Sequence, residues 1–241
     1  MERRLLTLGL GGLALLIGVS AVYLGTAAGS DPKPVEFADA RLIVEINATD
    51  GDAGLQIFLD GEAWNTVELL DPQGTAILDV DVTGRAEDYG LTELFSESSE
   101  PPFEEFPLER FKELFPEGTY TFRGTTIDGV PMTGTATFSH DFPDGPEILS
   151  PAADSKVPAD QVVVRWAPVT TPAGIDITGY QVLVEQEEPV LRVFSADLPA
   201  TATELSVPAE FVQRGTEYKV EVLAIEAGGN KTLTELTFRS R

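Results

Sequence analysis

The sequence predicts an all-β protein of two β-sandwiches in tandem, the first with a short helical insertion, after an N-terminal signal or anchor helix. Three observations predict this fold class. Apolar and polar residues alternate in many short runs, as in strands with one wet face. Turn-forming pairs such as Asp50-Gly51 and Asp128-Gly129 separate the runs. The 22 glycines and 17 prolines are scattered without a period, which favours short strands over helices.

The N-terminus predicts export from the cytoplasm. Met1-Glu2-Arg3-Arg4 precedes an uncharged stretch over residues 5–30, and small residues at 27–30 offer cleavage points. The stretch exceeds the ~7–15 residues of a common signal core and approaches the ~20 that span a bilayer. We expect residues 1–30 to be a cleaved signal peptide or a membrane anchor through residues 5–28. Both place the remaining chain outside the cytoplasm, in a periplasm or extracellular space, because the arginines precede the apolar run.

Residues 36–142 are predicted to form the first sandwich, which is immunoglobulin-like by its pattern alone. Its predicted inward-facing residues fall into three alternating runs: Leu42, Val44 and Ile46; Leu55, Ile57 and Leu59; Ala76, Leu78, Val80 and Val82. Turns are expected at Asp50-Gly51, Asp60-Gly61, Asp71-Pro72-Gln73-Gly74 and Asp128-Gly129. The last turn closes a predicted hairpin between residues 120–122 and 132–138. Trp64 is expected in the core, with an exposed sugar-stacking surface as the alternative.

Residues 107–115 break the alternation. Their apolar side chains recur at helical spacing: Leu108, Phe111, Leu114 and Phe115. Pro107 suits the first turn of a helix, and Pro116-Glu117-Gly118 ends it. We expect a short helix near 107–115 that covers an open end of the first sandwich. The alternative is an exposed aromatic patch for a partner, formed by Phe103, Phe106 and Phe111.

A short proline-rich joint over residues 141–146 leads to the second predicted sandwich, residues 146–241, and implies a semi-rigid tandem. Seven strands are expected in it, at 148–149, 162–166, 180–185, 191–196, 204–207, 218–225 and 233–238. Trp166, Gly179-Tyr180 and Gly215-Thr216-Glu217-Tyr218 mark three of these strands. In these positions the segment resembles a fibronectin type III domain.

This resemblance implies three structural residues. Trp166 takes the place of the family's buried tryptophan, and Tyr180 opens the third strand. Tyr218 takes the place of a tyrosine whose hydroxyl closes onto nearby backbone. Such domains serve as spacers and binding modules, but the sequence has no Arg-Gly-Asp, so integrin-type adhesion is not implied.

The charge balance limits the partners. The chain has 40 acidic and 16 basic residues, a net charge of −24. A surface this acidic repels nucleic acid and anionic lipid headgroups. The excess of acidic residues is explained by solubility or by adaptation to a salty environment. The alternative explanation is that some of the carboxylates bind calcium. With no cysteine, disulfides and thiolate chemistry are excluded.

The sequence predicts no enzyme. His140 is the only histidine, so a histidine-rich metal site is excluded, and its neighbours along a strand point to the opposite face. The adjacent acids Glu104-Glu105 and Glu187-Glu188 fall in expected loops, where such pairs are normally solvated. No phosphate-binding glycine loop or nucleophile elbow is present.

One loop is a candidate calcium site. Asn47, Asp50 and Asp52 cluster oxygens around a glycine turn, but the EF-hand pattern fails because Gly54 occupies a ligand position. The alternative is an ordinary Asp-Gly turn between strands. No other cofactor is predicted. Asn47-Ala48-Thr49 and Asn230-Lys231-Thr232 also match the glycosylation sequon.

Together these features predict a non-catalytic, exported binding or spacer module of the cell envelope, with a protein as partner or, second, a polysaccharide. Two alternatives fit the same features. One is an accessory domain of an envelope enzyme or export complex, and the other is a calcium-stabilised adhesin.

Overall fold

The structure, a computed structural model, describes residues 33–241. The predicted signal or anchor lies outside the described residues. In the part that is described, no helix has the length and apolar character needed to cross a membrane.

The N-terminal half of the described chain contains seven strands, one α-helix and a 3-10 turn at Gly84–Ala86. In order they are β1 (Val35–Glu36), β2 (Asp39–Asn47), β3 (Asp52–Leu70), β4 (Ala76–Asp81), β5 (Leu91–Glu97), α1 (Leu108–Leu114), β6 (Gly118–Thr126) and β7 (Pro131–Phe138). The C-terminal half contains eight strands. They are β8 (Ile148–Ser150), β9 (Ser155–Val157), β10 (Val163–Trp166), β11 (Ile177–Gln186), β12 (Arg192–Pro199), β13 (Glu204–Ser206), β14 (Glu217–Glu226) and β15 (Lys231–Ser240).

Strand β3 belongs to both layers of the N-terminal half. Its first part pairs with β2 on one side and β5 on the other, and its second part pairs with β6 and β4. The pairing register shifts between Asp60 and Trp64, where the strand passes from one layer to the other. Strand β7 extends the second layer and pairs with β1. A sandwich-like arrangement with a helical insertion is thus confirmed.

The expected turn at Asp60-Gly61 is wrong, because β3 continues through both residues. Glycine at position 61 leaves room for two neighbouring side chains. A Cβ atom at this position would lie 2.9 Å from the Phe37 ring and 3.0 Å from the methyl carbon of Met132. Glycine inside a strand often marks such a close approach. The other three expected turns in this half are present, and the Asp128-Gly129 hairpin joins β6 to β7.

The core of the N-terminal half follows the predicted alternation. Leu42, Val44 and Ile46 of β2 are buried, as are the predicted positions of β3. Trp64 is fully buried in the middle of β3, so the sugar-stacking alternative for this residue is wrong. Ala76 is exposed, although the other predicted inward positions, Leu78, Val80 and Val82, pack against the core.

Helix α1 confirms the expected helical insertion and covers the core with one aromatic ring. Phe111 is 4% exposed, and its ring centroid lies 5.0 Å from that of Phe115. Burying a phenylalanine side chain stabilises a fold by roughly 1.5–3 kcal/mol. The alternative of an exposed aromatic patch is therefore wrong for Phe111. Phe103 and Phe106 are half-buried against the same core.

The C-terminal half is a β-sandwich with two sheets. One sheet has the order β13-β10-β8, and the other contains β15, β14, β11 and β12 in that order. All seven predicted strands are present, and β9, which the sequence did not predict, pairs in parallel with the end of β15. The core between the sheets contains valines that alternate along β11 and β14, together with Trp166 and Phe238.

One sheet runs without interruption through both halves. Strand β2 pairs in parallel with β15 over residues 45–47 and 231–233, which extends the sheet from the N-terminal into the C-terminal half. The backbone N–H of Ala48 also donates to the carbonyl of Leu233 at 2.9 Å. Backbone pairing of this kind restricts bending at the joint far more than a linker alone.

Candidate binding cleft between the two halves

The continuous sheet encloses a cleft. Seven neighbouring strands supply its lining, in the order β5-β3-β2-β15-β14-β11-β12. A flat sheet would separate the first and last of these strands by roughly 29 Å, since neighbours lie ~4.8 Å apart. Here Phe95 of β5 and Asp197 of β12 line the same cavity of about 420 Å³. The sheet must therefore curl around the cleft.

Aromatic and charged side chains share the N-terminal wall of the cleft. Arg41, Phe58 and Phe95 occupy facing positions on β2, β3 and β5. The guanidinium carbon of Arg41 lies 4.2 Å from the centroid of the Phe58 ring, within the range of a cation–π contact. Phe95 has no such cover and is 63% exposed. A large apolar side chain that is this exposed and lines a concave surface often marks a binding site.

A chain of polar contacts crosses the base of the cleft. The Gln56 amide nitrogen donates to Glu97 Oε1 at 2.8 Å and to Glu45 Oε2 at 3.2 Å. Lys231 Nζ donates to Gln56 Oε1 at 3.4 Å and lies 3.5 Å from Glu45 Oε2. Because Gln56 is only 8% exposed, these contacts hold its amide plane in place. Lys231 of the C-terminal half thereby contacts two side chains of the N-terminal half.

The C-terminal wall presents a matched amide and carboxylate. The Gln181 amide nitrogen donates to Asp197 Oδ1 at 3.0 Å across β11 and β12. The turn between β14 and β15 completes this wall with Gly228 and Gly229. Gly229 has φ +97°, and a Cβ there would lie 3.1 Å from Ile43 Cγ2, so glycine suits this approach of the two halves.

Asn230 holds the cleft walls together. Its side-chain Oδ1 accepts the backbone N–H of Val44 at 2.9 Å, and its Nδ2 donates to the carbonyls of Ser139 and Asp141 at 3.1 and 3.4 Å. Its own backbone N–H donates to Glu226 Oε1 at 2.9 Å. At 2% exposed, this side chain connects β2 and the joint segment to the β14–β15 turn. The sequon at Asn230 is accordingly buried in the folded chain.

An acidic cluster lies on the same face of the sheet as the cleft, further along strands β11, β14 and β15. Lys219 Nζ lies 2.7 Å from Glu221, 3.3 Å from Glu185, 3.9 Å from Glu187 and 4.0 Å from Glu235. Burial raises the pKa of Glu221, although the hydrogen bond and charge of Lys219 oppose this effect. Burial lowers the pKa of Lys219, but its contacts with Glu221 and Glu185 outweigh burial and raise it above its usual range.

The candidate calcium residues lie in the hairpin turn between β2 and β3. Asn47 Oδ1 accepts the backbone N–H groups of Thr49 and Asp50 at 2.9 and 3.1 Å, and its Nδ2 donates to Asp50 Oδ2 at 3.3 Å. Burial and the charge of Asp50 raise the pKa of Asp52. Within residues 33–241, no group of three or more acidic, histidine or cysteine side chains is placed to hold a metal ion.

Calcium binding at this turn stays a prediction. If an ion binds Asp50 and Asp52, millimolar calcium should raise the melting temperature, since ligand at about 100 times its Kd adds about 2.7 kcal/mol. The double variant Asp50→Ala with Asp52→Ala should abolish that rise. The control is Asp79→Ala with Asp81→Ala, two exposed carboxylates of β4. A calcium response that is absent from the unsubstituted chain, or unchanged in the double variant, contradicts the prediction.

The three aromatic residues that the resemblance singled out lie in the C-terminal core. Trp166 and Tyr180 are each 1% exposed, and their ring centroids lie 5.4 Å apart. The Tyr180 hydroxyl accepts the backbone N–H of Val169 at 2.8 Å. The Tyr218 hydroxyl accepts the backbone N–H of Gln213 at 2.7 Å, five residues upstream. These contacts satisfy the phenol oxygens inside the core.

His140 is engaged in packing next to the joint. Its Nε2 atom lies 2.8 Å from the carbonyl oxygen of Phe115, and its backbone N–H donates to Glu117. Its ring contacts those of Phe138 and Phe142, with centroids 5.6 and 5.8 Å away.

Sequence reasoning missed the cleft residues. Arg41 and Phe58 lie far along the chain from Gln181 and Asp197, and no local pattern connects them. One signal was present: Phe58 falls on the polar face of its strand, where an aromatic side chain is unusual. The β2–β15 pairing that creates the cleft has no counterpart in the sequence pattern.

Comparison with solved structures finds fibronectin type III segments as structural neighbours. A two-domain fibronectin type III segment of chicken tenascin is matched with TM-score 0.32 and 11% identity, over 87% of this chain and 99% of that one. The FN1–FN3 domains of chicken CNTN1 are matched with TM-score 0.32 and 13% identity, over 87% of this chain and 66% of that one.

A third neighbour is the Clostridium perfringens spore cortex lytic enzyme SleM, with TM-score 0.28 and 16% identity. The match covers 46% of this chain and 33% of that chain, so this chain spans only part of that protein's length. No protein-family model matches the chain. No curated protein matches it by sequence.

Proposed function

We propose that this chain is a non-catalytic binding module that works outside the cytoplasm and holds its ligand in the cleft between its two halves. The observation that carries the proposal is the construction of the cleft from seven adjacent strands of both halves. A concave site at a junction, with apolar walls and a few fixed polar groups, is the usual form of a ligand site. The arginines before the apolar N-terminal run support the location.

The rigid junction supports a binding role for the cleft. The β2–β15 pairing and the Asn230 contacts hold the walls in one arrangement before any ligand arrives. A preformed site loses little conformational entropy on binding, so a few contacts suffice for useful affinity. A simple spacer would need no such cleft.

The test is affinity capture from the envelope of the cells that make this protein, with the full chain as bait. We expect a component that the unsubstituted chain retains and that Phe95→Ala and Arg41→Ala reduce about tenfold, which corresponds to about 1.4 kcal/mol. Val193→Ala is the matched control, since this exposed valine lies on β12 but does not line the cleft.

The outcomes separate the candidate functions. Capture of a component that depends on the cleft supports the proposal. If that component is an envelope enzyme or an export protein, this chain is its accessory domain. Components retained equally by all variants would place the binding surface elsewhere and overturn the role of the cleft.

A further inference from the structure

We infer that the cleft binds a neutral saccharide, an inference that rests on the proposed binding function and names its ligand class. A sugar ring combines an apolar face with hydroxyl groups that both donate and accept hydrogen bonds. The cleft presents the complement of both features within one cavity of about 420 Å³, a size typical of small-ligand sites.

The apolar component is an aromatic surface on two neighbouring strands. Phe58 and Phe95 are cross-strand partners in the β3–β5 ladder, so their side chains stand next to each other on one face. Arg41 covers the Phe58 ring, whereas Phe95 is 63% exposed. An exposed ring at the wall of a cleft is placed to stack against the C–H face of a sugar.

The polar component consists of planar groups from both halves. Gln181 and Asp197 form one amide–carboxylate pair, and Arg41 faces them from the opposite wall. The Nε of Arg41 lies 3.0 Å from Asp39, which leaves the terminal guanidinium nitrogens without a hydrogen bond to any of residues 33–241. Amides, carboxylates and guanidinium groups can each engage two neighbouring hydroxyls at once.

The charges of the cleft favour a neutral ligand. Arg41 is paired with Asp39 and Lys231 with Glu45, so both cations already have carboxylate partners. An anionic ligand would compete with these carboxylates and with a chain of net charge −24. A neutral ligand gains hydrogen bonds without the cost of stripping water from an unmatched charge.

The backbone of the cleft disfavours an extended peptide. Peptides that recognise sheets normally pair with an exposed edge, where main-chain groups are free. The cleft lies on the face of the sheet, and its five inner strands have neighbours on both sides. Recognition here must use side chains, and side-chain hydrogen bonds are the way in which hydroxyl-rich ligands are held.

The experiment is titration calorimetry of the full chain, in a detergent without a sugar headgroup, with neutral tetrasaccharides of glucose, N-acetylglucosamine, mannose and xylose. We expect at least one to bind. Phe95→Ala should weaken its Kd about tenfold and Gln181→Ala about fivefold, whereas Phe95→Trp, with a larger ring, should keep or strengthen it. Val193→Ala should leave the Kd unchanged.

The inference is overturned if none of the four tetrasaccharides binds, or if binding is the same in Phe95→Ala as in the unsubstituted chain. Capture of a protein by the intact cleft, with no saccharide bound, would overturn the saccharide and keep the binding function. If no saccharide binds and no component is captured through the cleft, both proposals are overturned.

Discussion

Asn230→Ala is expected to destabilise the chain by roughly 3 kcal/mol and to lower its melting temperature by roughly 6–12 °C. The substitution removes a buried hydrogen bond to Val44 and two partly buried hydrogen bonds to Ser139 and Asp141. The Val44 N–H would lose its partner inside the fold, where an unsatisfied polar group is costly, and the two carbonyls would lose a partner that is largely shielded from water. Thermal unfolding followed by circular dichroism measures the effect.

The position of the damage is as informative as its size. Amide hydrogen exchange at Val44 and over residues 231–233 should accelerate much more than exchange in the core of β11, because the β2–β15 pairing loses its support. Asn65→Ala is the control, since Asn65 lies on β3 and its side chain makes no hydrogen bond with the described residues. Uniformly faster exchange in both halves would show that Asn230 supports the whole fold and not the junction.

Lys219→Met is expected to destabilise the chain by roughly 2–3 kcal/mol near neutral pH. Lys219 is the cation among Glu185, Glu187, Glu221 and Glu235, and its removal leaves like charges facing one another. Methionine keeps the length and apolar character of the stem, so lost packing contributes little. The partial exposure of the cluster keeps the effect below that of a fully buried ion pair.

The pH dependence of this variant has a defined sign. Burial raises the pKa of Glu221, and the contact with Lys219 opposes that rise. Without Lys219 the folded-state pKa rises further above the unfolded value, so ionisation opposes folding. The variant's loss of stability is therefore smaller at about pH 5 than at about pH 8.

Urea unfolding at both pH values measures the difference, with Lys156→Met as the control for loss of an exposed lysine. A deficit that is equal at both pH values would contradict the electrostatic explanation.

Local patterns determined the elements of this protein. Alternation along β2, β3 and β11 specified which side chains are buried, because a strand turns successive residues to opposite faces. The helical spacing around Phe111 specified α1. The resemblance in the C-terminal half pointed to Trp166, Tyr180 and Tyr218, and all three lie in one core.

Where local signals conflicted with packing, packing prevailed. Asp60-Gly61 has the composition of a turn, yet β3 passes through it, because Phe37 and Met132 need the space that glycine leaves. The passage of β3 from one layer to the other depends on residues far away in the chain, so local composition does not reveal it.

By itself, the sequence determined an all-β chain with two hydrophobic cores, a short helix and an acidic surface, since these follow from residue spacing and charge. Only the tertiary structure decided that β2 pairs with β15, that Asn230 connects the halves, and that side chains of seven strands share a cleft. Residues such as Phe58 and Gln181 are more than 100 positions apart. Their approach depends on edge pairing between two cores, and the residues at a strand edge carry no periodic signal for their partner.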